Sequence, residues 1–426
     1  MKFLQALVTT VPDLENYKQG DDYCNGWQFV TCNADNTVAV ILTGLALTKP
    51  SSLPDLPDDV DGAKVAMKSF AANKLYNSLV GTLPPSWGRL TQLQTLSVAD
   101  SYNVEGTLPA AWSAMKEIMW MTLGNNKLSG TLPTEWKVLT KLTRLDLSFN
   151  QLSGTLPTDW KDLTALTKLW LDENQLSGTL PTDWKALTAL TELWLDDNQL
   201  SGTLPTDWKA LTALTGLWLS SNQLSGTLPT DWKALTALTQ LLLGDNQLSG
   251  TLPTDWKALT ALIQLWLDNN QLSGTLPAAW STMTQMRRMQ LQKNKFCGCV
   301  PKEWKEMTLV TLTVDDNVGG DTCATTNACH MTSSSGSNSR SGSSSSRGNS
   351  STASSSSNES TCVVVNCVLC APGSTTECSV CDSSYMLTDD SQCASYCDAA
   401  HWQSLGSPNG RLMLALLCTS MLWNLI

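Results

Sequence analysis

The sequence repeats itself about every 24 residues. The string NQLSGTLPTDWKALTALT recurs, and its glycine before Thr-Leu-Pro falls at Gly81, Gly106, Gly130, Gly154, Gly178, Gly202, Gly226, Gly250 and Gly274, with a variant CGCVP at Gly298. A proline follows three residues after each glycine, from Pro84 to Pro301, and a tryptophan three further on, from Trp87 to Trp304. A unit this short cannot bury its own leucines, so the period specifies a stacked array with one continuous core.

Within the unit, LTALTKLWLDENQL turns Leu166, Leu169 and Leu171 inward on a short strand, whose side chains alternate between faces. An asparagine follows each strand (Asn126, Asn150, Asn174, Asn198, Asn222, Asn246, Asn270, Asn294), where its amide can bond backbone groups freed at the turn. Gly and Pro then supply a permissive backbone and a fixed φ. The fold expected is a leucine-rich-repeat solenoid of α/β-type units with a parallel concave sheet, on the order of 45 Å long at strand spacing. The Trp of the TDW step reads as core filling on the convex side.

Fourteen cysteines cluster at the ends of the array and beyond it, which points to disulfides and an oxidising compartment. Cys297, Cys299, Cys323 and Cys329 surround the last irregular repeat and are expected to make two bridges there. Residues 333–360 are serine-rich and unable to form a core, a stalk with N-glycosylation sequons at Asn349 and Asn358. A short module follows with Cys362, Cys367, Cys370, Cys378, Cys381, Cys393 and Cys397. Its two CxxC pairs also fit zinc, but the interleaved cysteines favour oxidised thiols, one of which is left over. The C-terminal RLMLALLCTSMLWNLI, after a polar spacer and the small triplet Asp398-Ala399-Ala400, reads as a glycosylphosphatidylinositol signal with attachment at Asp398. Against this, MKFLQALVTTVPDLENYKQ is weak as a leader, and FLQALVTTVPDL reads better as the first helix of a cap. Two readings follow: a true start upstream of Met1, or a copy lacking its export signal.

The organisation expected is residues 1–48 as N-terminal cap with the first strand and 49–330 as the array with its C-terminal cap. Residues 331–361 are the stalk, 362–398 the cysteine-rich module and 399–426 the anchor signal removed on processing.

The consensus LxxLxxLxLxxNxLSGTLPxxW resembles the plant-type subclass of leucine-rich repeats. DDYCNGWQFVTC resembles that subclass's N-terminal cap, which implies that Cys24 and Cys32 bridge around Trp27. Cap, repeats, CGCVP unit, stalk, cysteine-rich module and anchor tail occur in one order that resembles the promastigote surface antigen family of Leishmania and related trypanosomatids. The resemblance implies a lipid-anchored glycoprotein on the outer leaflet of the plasma membrane that attaches to host macrophage receptors and resists complement.

Strand alternation leaves certain positions facing the concave side. Between inward Leu169 and Leu171, Trp170 points out, as do Trp194, Trp218 and Trp266 in the same register, with Leu242 among them. An acidic row runs beside them: Asp172, Glu173, Asp196, Asp197, Asp245 and Asp268. Stacked exposed aromatics suit sugars or protein loops, and the acids favour a basic partner surface. The candidate ligand-binding residues are therefore Trp170, Trp194, Trp218, Trp266, Asp172, Asp196 and Asp268. The bland alternative is a ladder that stacks only on itself.

The expected function is adhesion and immune evasion by binding host-cell or serum proteins or surface glycans. The alternatives are a structural coat antigen with no specific ligand and, more remotely, an inhibitor of a secreted enzyme. A net charge of -11 argues against nucleic acid. The two histidines, His330 and His401, lie outside the repeats, and the repeats hold no nucleophile–base pair or phosphate-cradling loop. The acidic row has no organised loop for calcium, and its Asp residues are expected to have no neighbour that raises a pKa. The chain is therefore read as no enzyme, with no cofactor, no metal and no small-molecule substrate.

Overall fold

The computed structural model describes residues 2–315 except 46 and 308, residue 318, and the backbone of four short strands further on. The chain divides into two compact units, 1–334 and 335–426. In the second, Cys367–Cys370 pairs antiparallel with Cys378–Cys381, and Tyr385–Leu387 with Cys393–Ser395. Cys323, Cys329, Cys362, Cys397, Asp398, the stalk sequons Asn349 and Asn358, and the anchor tail lie outside the described residues. So do the side chains of Cys367, Cys370, Cys378, Cys381 and Cys393.

The first unit is a leucine-rich-repeat solenoid. FLQALVTT forms the expected helix, Lys2–Thr10, whose Phe3, Leu4, Leu7 and Val8 are buried along one face. Phe3 meets Trp87 edge-on at 5.7 Å, which seats the helix over the first repeat. The Asp22 side chain accepts from the Cys24 and Asn25 backbone N–H groups and caps the short helix Tyr23–Gly26. Cys24 and Cys32 are disulfide-bonded with Cα atoms 5.4 Å apart, around Trp27, which is 3% exposed. The cap contributes two strands where the sequence suggested one: Val30–Cys32 runs antiparallel to Val38–Ile41, which pairs parallel with Met67–Ala71. At the other end Cys297 and Cys299 are each engaged in a disulfide.

From there a sheet of 13 strands continues with every later pairing parallel. Each repeat contributes three residues: Lys168–Trp170 pairs with Glu192–Trp194, and that with Gly216–Trp218. Leu166, Leu169 and Leu171 are fully buried, as their alternation requires. The asparagines connect neighbouring repeats. Asn174 donates from Nδ2 to the carbonyls of Leu171 (3.1 Å), Asp172 (3.0 Å) and, one repeat back, Leu147 (3.0 Å). Its Oδ1 accepts the Leu152 N–H at 2.9 Å.

A second, 11-stranded parallel sheet is built from QLSGT segments such as Gln175–Thr179 and Gln199–Thr203. The sequence reading gave these residues only a turning role. Gly178 shows why glycine recurs: its φ is +80°, and a Cβ there would lie 2.8 Å from Thr155 Cγ2 of the preceding repeat. The chain then turns through a 3-10 helix, Thr158–Asp162 and its equivalents, with Pro157 at the cap. Trp160 is fully buried, donates Nε1–H to the Pro133 carbonyl at 3.0 Å, and stacks on Trp136 at 6.4 Å. The convex tryptophans therefore pack the core and also tie each repeat to the one before. Outside them, Lys185–Asp207, Lys209–Asp231 and Lys233–Asp255 repeat one exposed ion pair at 2.8 Å. Such exposed pairs add little to stability.

Candidate functional site on the concave sheet

Strand alternation and the 24-residue period put outward side chains of the concave sheet in rows. One row carries Arg144, Lys168, Glu192, Gly216, Gln240 and Gln264, the next Asp146, Trp170, Trp194, Trp218, Leu242 and Trp266. Beyond the strand ends a third holds Ser148, Asp172, Asp196, Ser220, Gly244 and Asp268.

Trp170, Trp194 and Trp218 form one continuous stack, with centroids 4.4 and 4.2 Å apart and planes within 11° and 4°. Strand spacing of about 4.8 Å sets rings on neighbouring strands close to contact. The Arg144 guanidinium lies 4.2 Å from the Trp170 ring centroid and covers the free face of the first ring. Lys168 Nζ pairs with Glu192 at 2.6 Å, and Trp170 donates Nε1–H to the other Glu192 oxygen at 3.1 Å. Trp218 donates to Gln240 Oε1 at 3.1 Å.

The structure corrects three expectations. Trp170 points out of the sheet but is not exposed: Arg144 and Trp194 sandwich it to 8% exposure, while Trp194 and Trp218 stay half-buried. Trp266 does not join the stack, because Leu242 intervenes and is itself buried. The most exposed aromatic of the sheet is Trp120, at 53%, which sits in the first row and so lies outside the Trp170 register.

The third correction concerns the acids. Burial, reinforced by the Asp196 carboxylate, pushes Asp172 up to about 8. Burial also pushes Asp196 up to about 7, with Asp197 and Glu173 adding to it. Neighbours that raise the pKa are therefore present. Oδ1 of both residues, and Oγ of Ser220 next in the row, are buried without a hydrogen-bond partner. Asp268 differs: its Oδ2 accepts from Asn269 Nδ2 at 3.0 Å and Gln292 Nε2 at 3.4 Å. Burial raises Asp268 as well, without the second carboxylate of its row beside it. The candidates thus divide into a compact group, Trp170, Trp194, Trp218, Asp172 and Asp196, and a separate pair, Trp266 and Asp268, starting two repeats further on. Arg144, Glu192 and Gln240 belong to the compact group. They were legible only as the residues two before the tryptophan row.

The Leucine Rich Repeat family model matches residues 141–163, 165–187, 189–211, 213–235 and 261–283. Those five segments are leucine-rich repeats. The chain is 35% identical over 95 residues to the surface membrane glycoprotein GP46/M-2 of Leishmania amazonensis, covering 22% of this chain and 19% of that protein. That likeness agrees with the resemblance to trypanosomatid surface antigens, although the match spans about a fifth of the relative. Among solved structures, a TDR receptor is 31% identical with a TM-score of 0.57, over 62% of this chain and 45% of that one. The Arabidopsis receptor kinase HAESA, in complex with the peptide hormone IDA and the co-receptor SERK1, is 25% identical with a TM-score of 0.59, over 74% and 57%. A plant ice-binding protein, 23% identical with a TM-score of 0.54 over 76% and 97%, shares the fold alone.

Proposed function

We propose that the chain is a cell-surface recognition protein that binds host proteins or glycans through the concave face around Trp170, Trp194 and Trp218. The observation that carries this reading is the three-ring stack, two of whose members keep accessible surface beside carboxylates without ionic partners. Large aromatic surfaces flanked by polar groups are the usual anchors of recognition. HAESA, whose solved complex holds a peptide hormone and a co-receptor, supports protein or peptide partners for this class of scaffold. The likeness to GP46/M-2, a surface membrane glycoprotein, supports a surface location, with the glycosylated stalk and the lipid anchor at Asp398 as parts of the same proposal. No catalytic role is assigned: Ser148 and Ser220 flank the raised carboxyls in their row, but no histidine occurs among the described residues to activate either hydroxyl.

The self-satisfied geometry of the stack favours a second reading. Trp170 is covered on both faces and hydrogen-bonded within the chain, as a purely structural ladder in a coat antigen would be.

Binding of the labelled full chain to macrophage surfaces and serum proteins separates the two. The chain with Trp170, Trp194, Trp218 and Trp266 replaced by Ser should lose binding while keeping its circular dichroism spectrum. Unchanged binding by that folded variant would assign the ladder to the coat.

A further inference from the structure

We infer that the concave face contains a subsite for a cationic side chain, a lysine or arginine of the bound partner, formed by Asp172, Glu173, Asp196 and Asp197 beside the tryptophan stack. The inference rests on the concave-face reading above and specifies its ligand chemistry.

Four acidic side chains occupy equivalent positions in two adjacent repeats, and none of them has an ionic partner among the described residues. Glu192, in the neighbouring row, meets Lys168, and the convex Asp207 and Asp231 meet lysines of the preceding repeat. Asp172 is only 6% exposed, and its Oδ1 accepts no hydrogen bond. A nearly buried carboxyl with an unpartnered oxygen beside other acids is costly to ionise, and a donor that carries positive charge relieves that cost. Glu173 and Asp197 are exposed at the rim, so a partner can reach the group from solvent.

The adjoining stack already accepts a cation from its own chain, since Arg144 caps Trp170. Along the accessible edges of Trp194 and Trp218 an aliphatic stem can lie while the head group reaches the acids. A metal ion fits less well: among the described residues no group of three or more His, Cys, Asp or Glu is placed to hold one.

The test uses the full chain and a short Gly/Ser/Leu peptide with one central lysine, compared with its norleucine counterpart. Binding is read by tryptophan fluorescence and calorimetry. The decisive variant is Glu173→Asn with Asp197→Asn. Both positions have positive φ, +52° and +50°, and the equivalent Asn269 shows that asparagine fits there. The lysine peptide should bind about tenfold more tightly than the norleucine peptide, and the double variant should abolish that difference. The charge-matched convex pair Asp207→Asn with Asp231→Asn should leave it unchanged.

Equal binding of the two peptides would overturn the subsite. If Trp194→Ser then removed both, the concave-face reading would survive. An equal loss in the convex variant would reduce the effect to net charge and overturn it. Failure of the lysine peptide to bind also overturns it, and the cell-surface assay then judges the concave face independently.

Discussion

Asp172 and Asp196 stand at equivalent positions in adjacent repeats, and each carries one carboxylate oxygen buried without a partner. Around them lie Asp146, Glu173 and Asp197, while Arg144 faces Asp146. The folded carboxyls are raised to about 8 and about 7, against 3.8 for a free aspartic acid side chain. The folded state therefore binds protons that the unfolded chain has released across the interval from about pH 4 to pH 8. Stability conferred by keeping the pair neutral is present at the acidic end and is lost as pH rises through the folded values. Asp172→Asn with Asp196→Asn should accordingly raise Tm at pH 8 by several degrees and have little effect near pH 4. Each pKa unit corresponds to about 1.4 kcal/mol, so on the order of a few kcal/mol is at stake for the pair. Thermal melts of the variant and the parent across this range check the sign; a uniform shift at all pH values would show that the carboxyls are not the cause.

The asparagine ladder gives the second prediction. Asn198 Nδ2 donates to the carbonyls of Leu171, Leu195 and Asp196 at 3.0, 3.2 and 3.1 Å, and its Oδ1 accepts the Leu176 N–H at 2.9 Å. Asn198→Ala leaves both kinds of backbone group unpaired, a loss of about 3 kcal/mol. Asn198→Asp keeps the shape but points a carboxylate at three carbonyls, so it should be at least as harmful at neutral pH. Chemical denaturation of the two variants measures this, and a stable Asp variant would contradict the donor role.

The convex tryptophans give the third. Trp208 is fully buried and donates to the Pro181 carbonyl at 3.0 Å. Trp208→Ala removes a large core side chain and should cost about 3–5 kcal/mol. Trp208→Phe keeps most of the packing, loses the hydrogen bond, and should cost roughly half as much. Equal losses in denaturation experiments would mean that the hydrogen bond, rather than the volume, dominates.

Much of this architecture could be read from the sequence, for a definite physical reason. Leu169, Leu171, Asn174, Gly178 and Trp160 each perform a task in every repeat, so periodicity exposes them together. The second sheet escaped because QLSGT is short and its glycine and proline neighbours resemble a turn. The functional face was harder still. Whether Trp170 is open or covered depends on Arg144 one repeat earlier and Trp194 one repeat later. Those contacts run across the period, and alternation along a single strand does not encode them. The raised Asp172 has the same origin, since its strongest charged neighbour belongs to the next repeat.

Two glycines of the same array test how far backbone geometry, as opposed to space, explains the repeat. Gly202 has φ of +80°, and an added Cβ would approach Thr179 Cγ2 to 2.9 Å. Gly202→Ala therefore meets both a disfavoured left-handed backbone and a side-chain clash, and should cost about 2 kcal/mol. Gly216 has ordinary strand geometry, and its nearest neighbours, the indole nitrogens of Trp194 and Trp218, stand 3.8 Å from an added Cβ. There Ala fits without displacement and removes freedom from the unfolded chain, so Gly216→Ala should be neutral or stabilising by about 0.5 kcal/mol. It also adds a methyl at the edge of the stack, which leaves the rings in place. Matched denaturation curves should thus move in opposite directions for two substitutions identical in chemistry. If Gly216→Ala destabilises as much as Gly202→Ala, the face beside the indoles is closed rather than open, and the accessible stack on which recognition depends is lost with it.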